Sequence, residues 1–233
     1  LTGSANTDRL LGLGGNDTLL GGDGNDTLEG GTGDDSLDGG DGVDRISFAG
    51  ASGAVSINFT TTQVTGAAGN DIVLNIEEAE GSAHADYLGG AAGGDLLLGL
   101  SGNDTLQGFD GEDTLEGGAG DDSVDGGNGF DMASYAGALN GVGVNLAFTG
   151  SQITGNAGTD TLSSIEGLIG SAFVDTLFGS AAANRLLGLA GNDTLFGNAG
   201  DDTLDGGAGN DSIDGGANTD RASYAQASGA VTV

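Results

Sequence analysis

Aliphatic residues recur every nine residues along most of the chain, as at Leu19, Leu28 and Leu37. Each is the middle residue of a three-residue segment, and six glycine-rich residues separate one segment from the next. Side chains alternate along an extended strand, so the middle residue faces one way while its two neighbours face the other. The pattern predicts very short strands that share one core and are joined by glycine turns.

The nine-residue unit forms three tandem runs, which span residues 3–47, 81–134 and 170–223. Glycine prevails at places one, two and four of the unit, where a tight turn needs positive φ values that other residues resist. Place six is aspartate in every complete unit of the well-matched stretches, and place eight is nearly always Leu, Ile or Val. The motif LLGL begins at Leu10, Leu97 and Leu186, which adds a longer period of about 88 residues.

Two segments, residues 48–80 and 135–169, lie between the runs, and a third such segment starts at 224–233. The first two contain the alternating, strand-like stretches VSINF and VGVNL. Nine-residue units also recur within them at Gly66 and Gly155, each followed by a short extension that carries Ile-Glu. We therefore expect these segments to form strands of wider coils rather than hairpins that leave the axis.

Energetics require the short strands to stack on one another. One buried leucine contributes roughly 2 to 3 kcal/mol, whereas ordering nine residues costs on the order of 9 to 18 kcal/mol of backbone entropy. With two units per coil, two parallel sheets face each other, and units two apart lie about 4.8 Å apart. Asp17 then stacks near Asp35, and Asp26 near Asp44. The sequence predicts an all-β fold, one continuous parallel β-solenoid over residues 1–233.

The amino-acid composition limits the kinds of partner that the chain can bind. The chain has 233 residues, a formal net charge of −31, 51 glycines and no cysteine. Such acidity and glycine content usually indicate disorder, but the regular spacing of apolar residues argues against a disordered acidic tract. The lack of cysteine excludes disulfides and thiolate metal sites, and no 18-residue apolar run is present for membrane insertion. Carboxylates repel nucleic acids and anionic membranes, so cations are the expected partners.

The stacked carboxylates favour a cation that binds oxygen ligands. Two carboxylates about 4.8 Å apart repel by roughly 1 kcal/mol in bulk water and about 3 to 4 kcal/mol at an effective dielectric of 20. A cation between coils reverses that sign. Carboxylate and turn carbonyl oxygens of irregular geometry suit Ca²⁺ better than Mg²⁺. His84 is the only histidine, which makes zinc and copper poor candidates.

The units resemble the repeats-in-toxin (RTX) nonapeptide G-G-x-G-x-D-x-U-x, and the resemblance covers most of the chain. It implies a right-handed parallel β-roll that binds Ca²⁺ between its turns, in a protein exported by type I secretion. It also implies that the sixth-place aspartates are calcium ligands together with turn carbonyls. Those residues are Asp17, Asp26, Asp35, Asp44, Asp95, Asp104, Asp113, Asp122, Asp131, Asp193, Asp202, Asp211 and Asp220.

Some units depart from the pattern. Place four is His84, Phe173 or Ala182 in three of them, and Asn184 replaces the sixth-place aspartate in one. We expect these turns to bind calcium weakly or not at all. His84 and neighbouring Asp86 could be read as a catalytic pair, but a chain with one histidine and neither cysteine nor lysine lacks a second base or electrophile.

Outward threonines at place seven could form a flat array for ice or sugar, although β-propensity explains threonine there equally well. We therefore interpret the chain as a non-enzymatic, calcium-dependent β-roll module of a large secreted or cell-surface protein. It would fold after export and serve as a structural or adhesive extender, with a cell-surface polysaccharide or host surface ligand as a further candidate partner. The alternative is the carboxy-terminal module of an extracellular protease, lipase or alginate epimerase. The first residue is Leu1, without a signal peptide, so we expect a fragment of a longer protein.

Overall fold

The computed structural model describes residues 1–224, which form strands and turns apart from one 3-10 turn at Gly155–Ala157. The first strands are β1 (Arg9–Leu11), β2 (Thr18–Asp23), β3 (Thr27–Glu29), β4 (Ser36–Asp41), β5 (Arg45–Ser47), β6 (Val55–Asn58), β7 (Gln63–Gly66), β8 (Gly69–Leu74), β9 (Glu78–Glu80), β10 (Tyr87–Gly89), β11 (Leu96–Leu98) and β12 (Thr105–Gly111). The others are β13 (Thr114–Glu116), β14 (Ser123–Gly129), β15 (Met132–Ser134), β16 (Gly143–Asn145), β17 (Gln152–Ile153), β18 (Thr159–Ser163), β19 (Gly167–Ile169), β20 (Thr176–Phe178), β21 (Arg185–Leu187), β22 (Thr194–Phe196), β23 (Thr203–Asp205), β24 (Ser212–Asp214) and β25 (Arg221–Ser223). The third inter-run segment that the sequence predicts lies, after Tyr224, outside the described residues.

Within the runs, strands pair in parallel with a partner 18 residues away. Leu28 of β3, for example, pairs with Leu10 of β1 on one side and Ile46 of β5 on the other. An 11-stranded sheet follows the order β1-β3-β5-β9-β11-β13-β15-β19-β21-β23-β25. A 10-stranded and a 4-stranded sheet contain the remaining strands. The predicted all-β parallel solenoid with two units per coil is confirmed.

In the runs, the core consists of the eighth-place residues, which lie between the two facing sheets. Leu19, Leu28, Leu37, Leu106 and Leu115 are completely buried. The neighbouring places seven and nine are mostly half-buried or exposed. One apolar side chain per unit thus fills a narrow interior, and every glycine turn lies at an edge of the stack. In the described residues, no helix long and apolar enough to cross a membrane is found.

The inter-run segments differ in one respect from the prediction. Strand β6 pairs in parallel with β10, and β8 with β4, as expected for strands of coils. However, β7 lies antiparallel between β6 and β8, and β17 is antiparallel to β18. The expectation that these segments contain no antiparallel pairing was wrong. Only residues 59–62 separate β6 from β7, and so short a connection cannot make the crossover that parallel neighbours require.

Candidate metal centre

Eleven of the thirteen sixth-place aspartates accept, through Oδ1, a backbone N–H from the preceding coil. The backbone N–H of Asp26 donates to Oδ1 of Asp44 at 2.7 Å, and that of Asp104 donates to Oδ1 of Asp122 at 2.8 Å. Asp17 and Asp35 are joined in the same way at 2.8 Å. The pairing follows from the 18-residue step of the ladders, which brings place six of one coil beside place six of the next. The carboxylates therefore form columns along both edges of the stack.

The second oxygen of these carboxylates is buried and has no hydrogen-bond partner. This holds for Oδ2 of Asp17, Asp26, Asp35, Asp44, Asp71, Asp104, Asp113, Asp122, Asp131, Asp193 and Asp202. A buried carboxylate oxygen without a partner is costly, so a row of them indicates a ligand that supplies positive charge.

The place-one glycine creates the space in front of that oxygen. A Cβ built on Gly21 would collide with Oδ2 of Asp26 and with the carbonyl oxygen of Gly39 in the next coil. The same pair of neighbours, a carboxylate and a carbonyl from the adjoining coil, surrounds Gly108 and Gly197. Glycine at place one thus leaves a recess between coils that is lined by oxygen atoms.

Several aspartates of the columns have raised pKa values. Burial, together with the neighbouring carboxylates of Asp122 and Asp86, raises the pKa of Asp104 to about 7 against the lowering effect of the backbone hydrogen bond from Asp86. Burial likewise raises the pKa of Asp113 and that of Asp193 to about 6. These groups ionise at a higher pH than an ordinary aspartate because the charged form has lost water and faces like charges.

The donor set fits calcium. In the described part of the chain, no three His, Cys, Asp or Glu side chains converge on one point. Each recess offers one carboxylate per coil, and backbone carbonyls must therefore complete any coordination shell. Oxygen-only ligands of irregular geometry match Ca²⁺, whereas Mg²⁺ demands a compact octahedral cage.

Ten of the thirteen predicted aspartates have a buried Oδ2 without a hydrogen-bond partner, and Asp95 is one of the other three. Its Oδ2 accepts the backbone N–H of Ala91 at 2.7 Å. Asp211 and Asp220 lie near the end of the described chain and are only half-buried, and their Oδ1 atoms continue the columns as acceptors.

The divergent turns are satisfied by protein groups. The carboxylate of Asp175 is fully buried and accepts the backbone N–H of Ser171 at 2.6 Å and its hydroxyl at 2.7 Å. Asp86 is held in the same way by Ser82, while the His84 side chain is exposed. The Asp86 carboxylate is therefore hydrogen-bonded to a serine rather than to the histidine, which does not support the catalytic-pair reading.

Three acidic residues that the sequence prediction left out continue the columns. Oδ1 of Asp71 accepts the N–H of Asp35 at 2.9 Å, and Glu77 and Glu166 accept those of Asp44 and Asp131 at 3.0 Å. The nine-residue unit at Gly66 has Asp71 at place six and could have identified it. The two glutamates belong to the Ile-Glu extensions, which lie outside the nine-residue spacing.

Asp160, in the corresponding unit of the second inter-run segment, also continues a column. It accepts the N–H of Asp122 through Oδ1 at 3.1 Å. Its Oδ2, however, accepts the hydroxyls of Thr154 at 2.8 Å and Tyr135 at 3.2 Å. Asp71 and Asp160 thus occupy equivalent units but differ in whether the second oxygen has a protein partner.

Comparison with known families agrees with this geometry. The family model of the RTX calcium-binding nonapeptide repeat (4 copies) matches residues 2–37, 20–51, 98–133, 169–204 and 187–222. Together these matches cover more than half of the chain. No curated protein matches the chain. On the evidence of its repeats and of the β-roll that they form, the chain belongs to the RTX calcium-binding nonapeptide repeat family.

Proposed function

We propose that this chain is a calcium-binding β-roll module of a large secreted or cell-surface protein. The observation that carries the proposal is the row of buried Oδ2 atoms without partners. The sixth-place aspartates predicted from the sequence, apart from Asp95, are the candidate ligands, and Asp71 joins them because its Oδ2 is likewise buried without a partner. Calcium would supply the positive charge that these oxygens lack, and carbonyls of adjoining coils would complete the shells.

Folding would depend on the ion concentration. Without cations, the buried carboxylates of neighbouring coils repel one another and resist ionisation, which opposes stacking. Extracellular calcium modules typically bind at about 10⁻⁴ to 10⁻³ M. A module with that affinity stays unfolded where calcium is scarce and folds where it is abundant. This suits a protein that is exported by type I secretion and folds outside the cell, and RTX repeats are typical of secreted proteins.

The role we favour is a non-enzymatic structural or adhesive extender, built as one continuous solenoid through the three runs. The long period of about 88 residues favours it, because repetition of whole blocks lengthens a stack without adding a new site. The alternative is a calcium-binding module attached to an extracellular enzyme. The sequences that flank this module in its parent protein distinguish the two.

A chelation experiment tests the proposal. In EDTA, the far-ultraviolet circular dichroism of the chain should indicate disorder, and millimolar Ca²⁺ should produce β-structure and a smaller radius in X-ray scattering. Equal Mg²⁺, at matched ionic strength, is the control and should not replace it. A β-structure spectrum that EDTA leaves unchanged, or that Mg²⁺ restores as well as Ca²⁺ does, would overturn the proposal.

A further inference from the structure

The turns of the runs occur in two conformations, distinguished at place two. In one, which we call open, the place-two residue has a positive φ, as at Gly22 (112°) and Gly118 (98°). In ten of these turns the sixth-place Oδ2 is buried and has no protein partner, and the other two, with the half-buried Asp211 and Asp220, lie near the end of the described chain. The open turns are those with Leu13, Gly22, Gly31, Gly40, Leu100, Phe109, Gly118, Gly127, Leu189, Asn198, Gly207 and Gly216 at place two.

In the other conformation, which we call closed, the place-two N–H turns back and donates to the sixth-place side chain. The donors are Ser4, Ser82, Ala91, Ser171 and Ser180, and the acceptors are Asp8, Asp86, Asp95, Asp175 and Asn184. All four serines also donate their hydroxyl to the same side chain. A closed turn thus satisfies, with its own donors, the oxygen that an open turn leaves without a partner.

Side-chain size explains which conformation a turn adopts. In the closed turns that follow the inter-run segments, the first place-two side chain points inward: Ser82 and Ser171 are completely buried, whereas Ser4, in the first unit of the chain, is exposed. A side chain larger than serine does not fit inside the turn. In open turns the large place-two side chain lies on the surface instead: Leu13 is 78% exposed and Phe109 is 37% exposed. Glycine adopts the positive φ without strain. In the runs, large residues therefore open the turn by exclusion, glycine opens it because it adopts a positive φ freely, and Ser or Ala closes it. In the first inter-run segment, by contrast, the Ala67 N–H donates to the carbonyl of Ala54, and Oδ2 of Asp71 has no partner.

We propose that the residue at place two selects whether a turn takes a calcium ion: serine and alanine exclude the ion by closing the turn on the sixth-place side chain. This rests on the proposed function, in which the open turns bind calcium. Apart from the turn of Ser4 in the first unit, the closed turns make up residues 81–98 and 170–187, the first full coil after each inter-run segment. The calcium sites of the runs then fall into three separate clusters, at residues 12–47, 99–134 and 188–223, and Asp71 of the first inter-run segment adjoins Asp35 of the first cluster.

Ala91 offers the sharpest test, because only place two separates its turn from the family pattern. Gly93 already has a positive φ of 138° at place four. A Cβ on Gly90 would meet Oδ2 of Asp95 and, at 2.7 Å, the carbonyl oxygen of Gly108, so the recess is already lined as in an open turn. The Ala91 N–H is the group that occupies the carboxylate oxygen there.

The experiment counts calcium ions bound per chain by equilibrium dialysis at saturating Ca²⁺, for the wild type, three single variants and one double variant. Ala91→Gly and Ala91→Leu, which change size in opposite directions, should both open the turn and add about one ion, between the coils of Asp95 and Asp113. Ala91→Ser keeps the turn closed and is the matched control, with an unchanged count. Asp95→Asn placed in the Ala91→Gly chain should remove the added ion.

Other outcomes overturn the inference. If the wild type binds calcium and neither Ala91→Gly nor Ala91→Leu adds an ion, place two does not select the ion, and position beside the inter-run segment must close the turn. If Ala91→Ser also gains an ion, closure does not exclude calcium. A wild-type chain that binds no calcium contradicts the proposed function itself, so the two failures are distinguishable. Circular dichroism in Ca²⁺ verifies that each variant is folded before the ions are counted.

Discussion

Replacing Asp26 by Asn should change the stability of the module in opposite directions with and without calcium. Asp26 is 2% exposed, and its Oδ1 accepts the backbone N–H of Asp8 at 2.8 Å, while its Oδ2 has no partner. An asparagine oxygen can keep the hydrogen bond to Asp8. The substitution therefore removes the negative charge and the free oxygen but leaves the packing nearly unchanged.

The expected change in stability has opposite signs in calcium and in EDTA. An ion at ten times its dissociation constant stabilises the fold by about 1.4 kcal/mol, and Asp26 can face a coil on either side. Its loss should cost about 1 to 3 kcal/mol in calcium. In EDTA, removing one of two carboxylates about 4.8 Å apart relieves a repulsion of about 1 kcal/mol in bulk water and about 3 kcal/mol at a dielectric of 20. The metal-free fold should therefore become easier to form.

Two titrations measure these effects. Urea unfolding at saturating Ca²⁺ gives the loss, and the concentration of trimethylamine oxide that folds the chain in EDTA gives the gain, because this osmolyte favours burial. Asp175→Asn is the control, since the carboxylate of Asp175 already accepts two bonds from Ser171 and one from Val142. It should destabilise the fold in both conditions. If Asp26→Asn raises the osmolyte requirement as Asp175→Asn does, the columns are not cation sites.

Two further predictions concern pH and the core. Because burial raises the pKa of Asp104 to about 7 and that of Asp122 to about 6, the folded chain binds protons more tightly than the unfolded chain. The metal-free fold should gain stability as pH falls from about 7 towards 4, while the calcium midpoint rises because protons compete. An osmolyte requirement in EDTA that does not change between pH 8 and pH 5 would contradict this. Leu106→Ala, at a completely buried site, should lower the free energy of unfolding in Ca²⁺ by about 2 to 5 kcal/mol. Thr105→Ala, on the outward side of the same strand, should change it by no more than about 0.5 kcal/mol, and equal effects would refute the assigned core.

Much of the architecture could be predicted from periodicity, because the periodic features are local. Leu28 and Leu37 face the core since alternation along a three-residue strand leaves one inward position, and the nine-residue spacing repeats it. The stacking of Asp26 near Asp44 follows from two units per coil. Asp71 could be predicted in the same way, since its unit keeps the spacing.

Other features depend on contacts between distant residues, and periodicity alone could not reveal them. Glu77 and Glu166 do not occupy a sixth place. They join the columns because the chain, after each inter-run segment, rejoins the stack beside the coil of Asp44 or Asp131. Strand β7 is antiparallel because only a few residues connect it to β6, and because it occupies the position between β6 and β8 in the sheet.

The strand spacing, the apolar interior and the edges at which carboxylates gather can all be read from the sequence, since each follows from the chemistry of one nine-residue unit. Which carboxylates keep a free oxygen depends on the three-dimensional packing of the turns. Asp95 and Asp104 occupy the same place in units with similar sequences, yet one accepts a backbone N–H from its own turn and the other keeps a buried oxygen without a partner. The difference arises because a place-two side chain must either fit inside the turn or lie outside it, and the packing of adjoining coils sets that space.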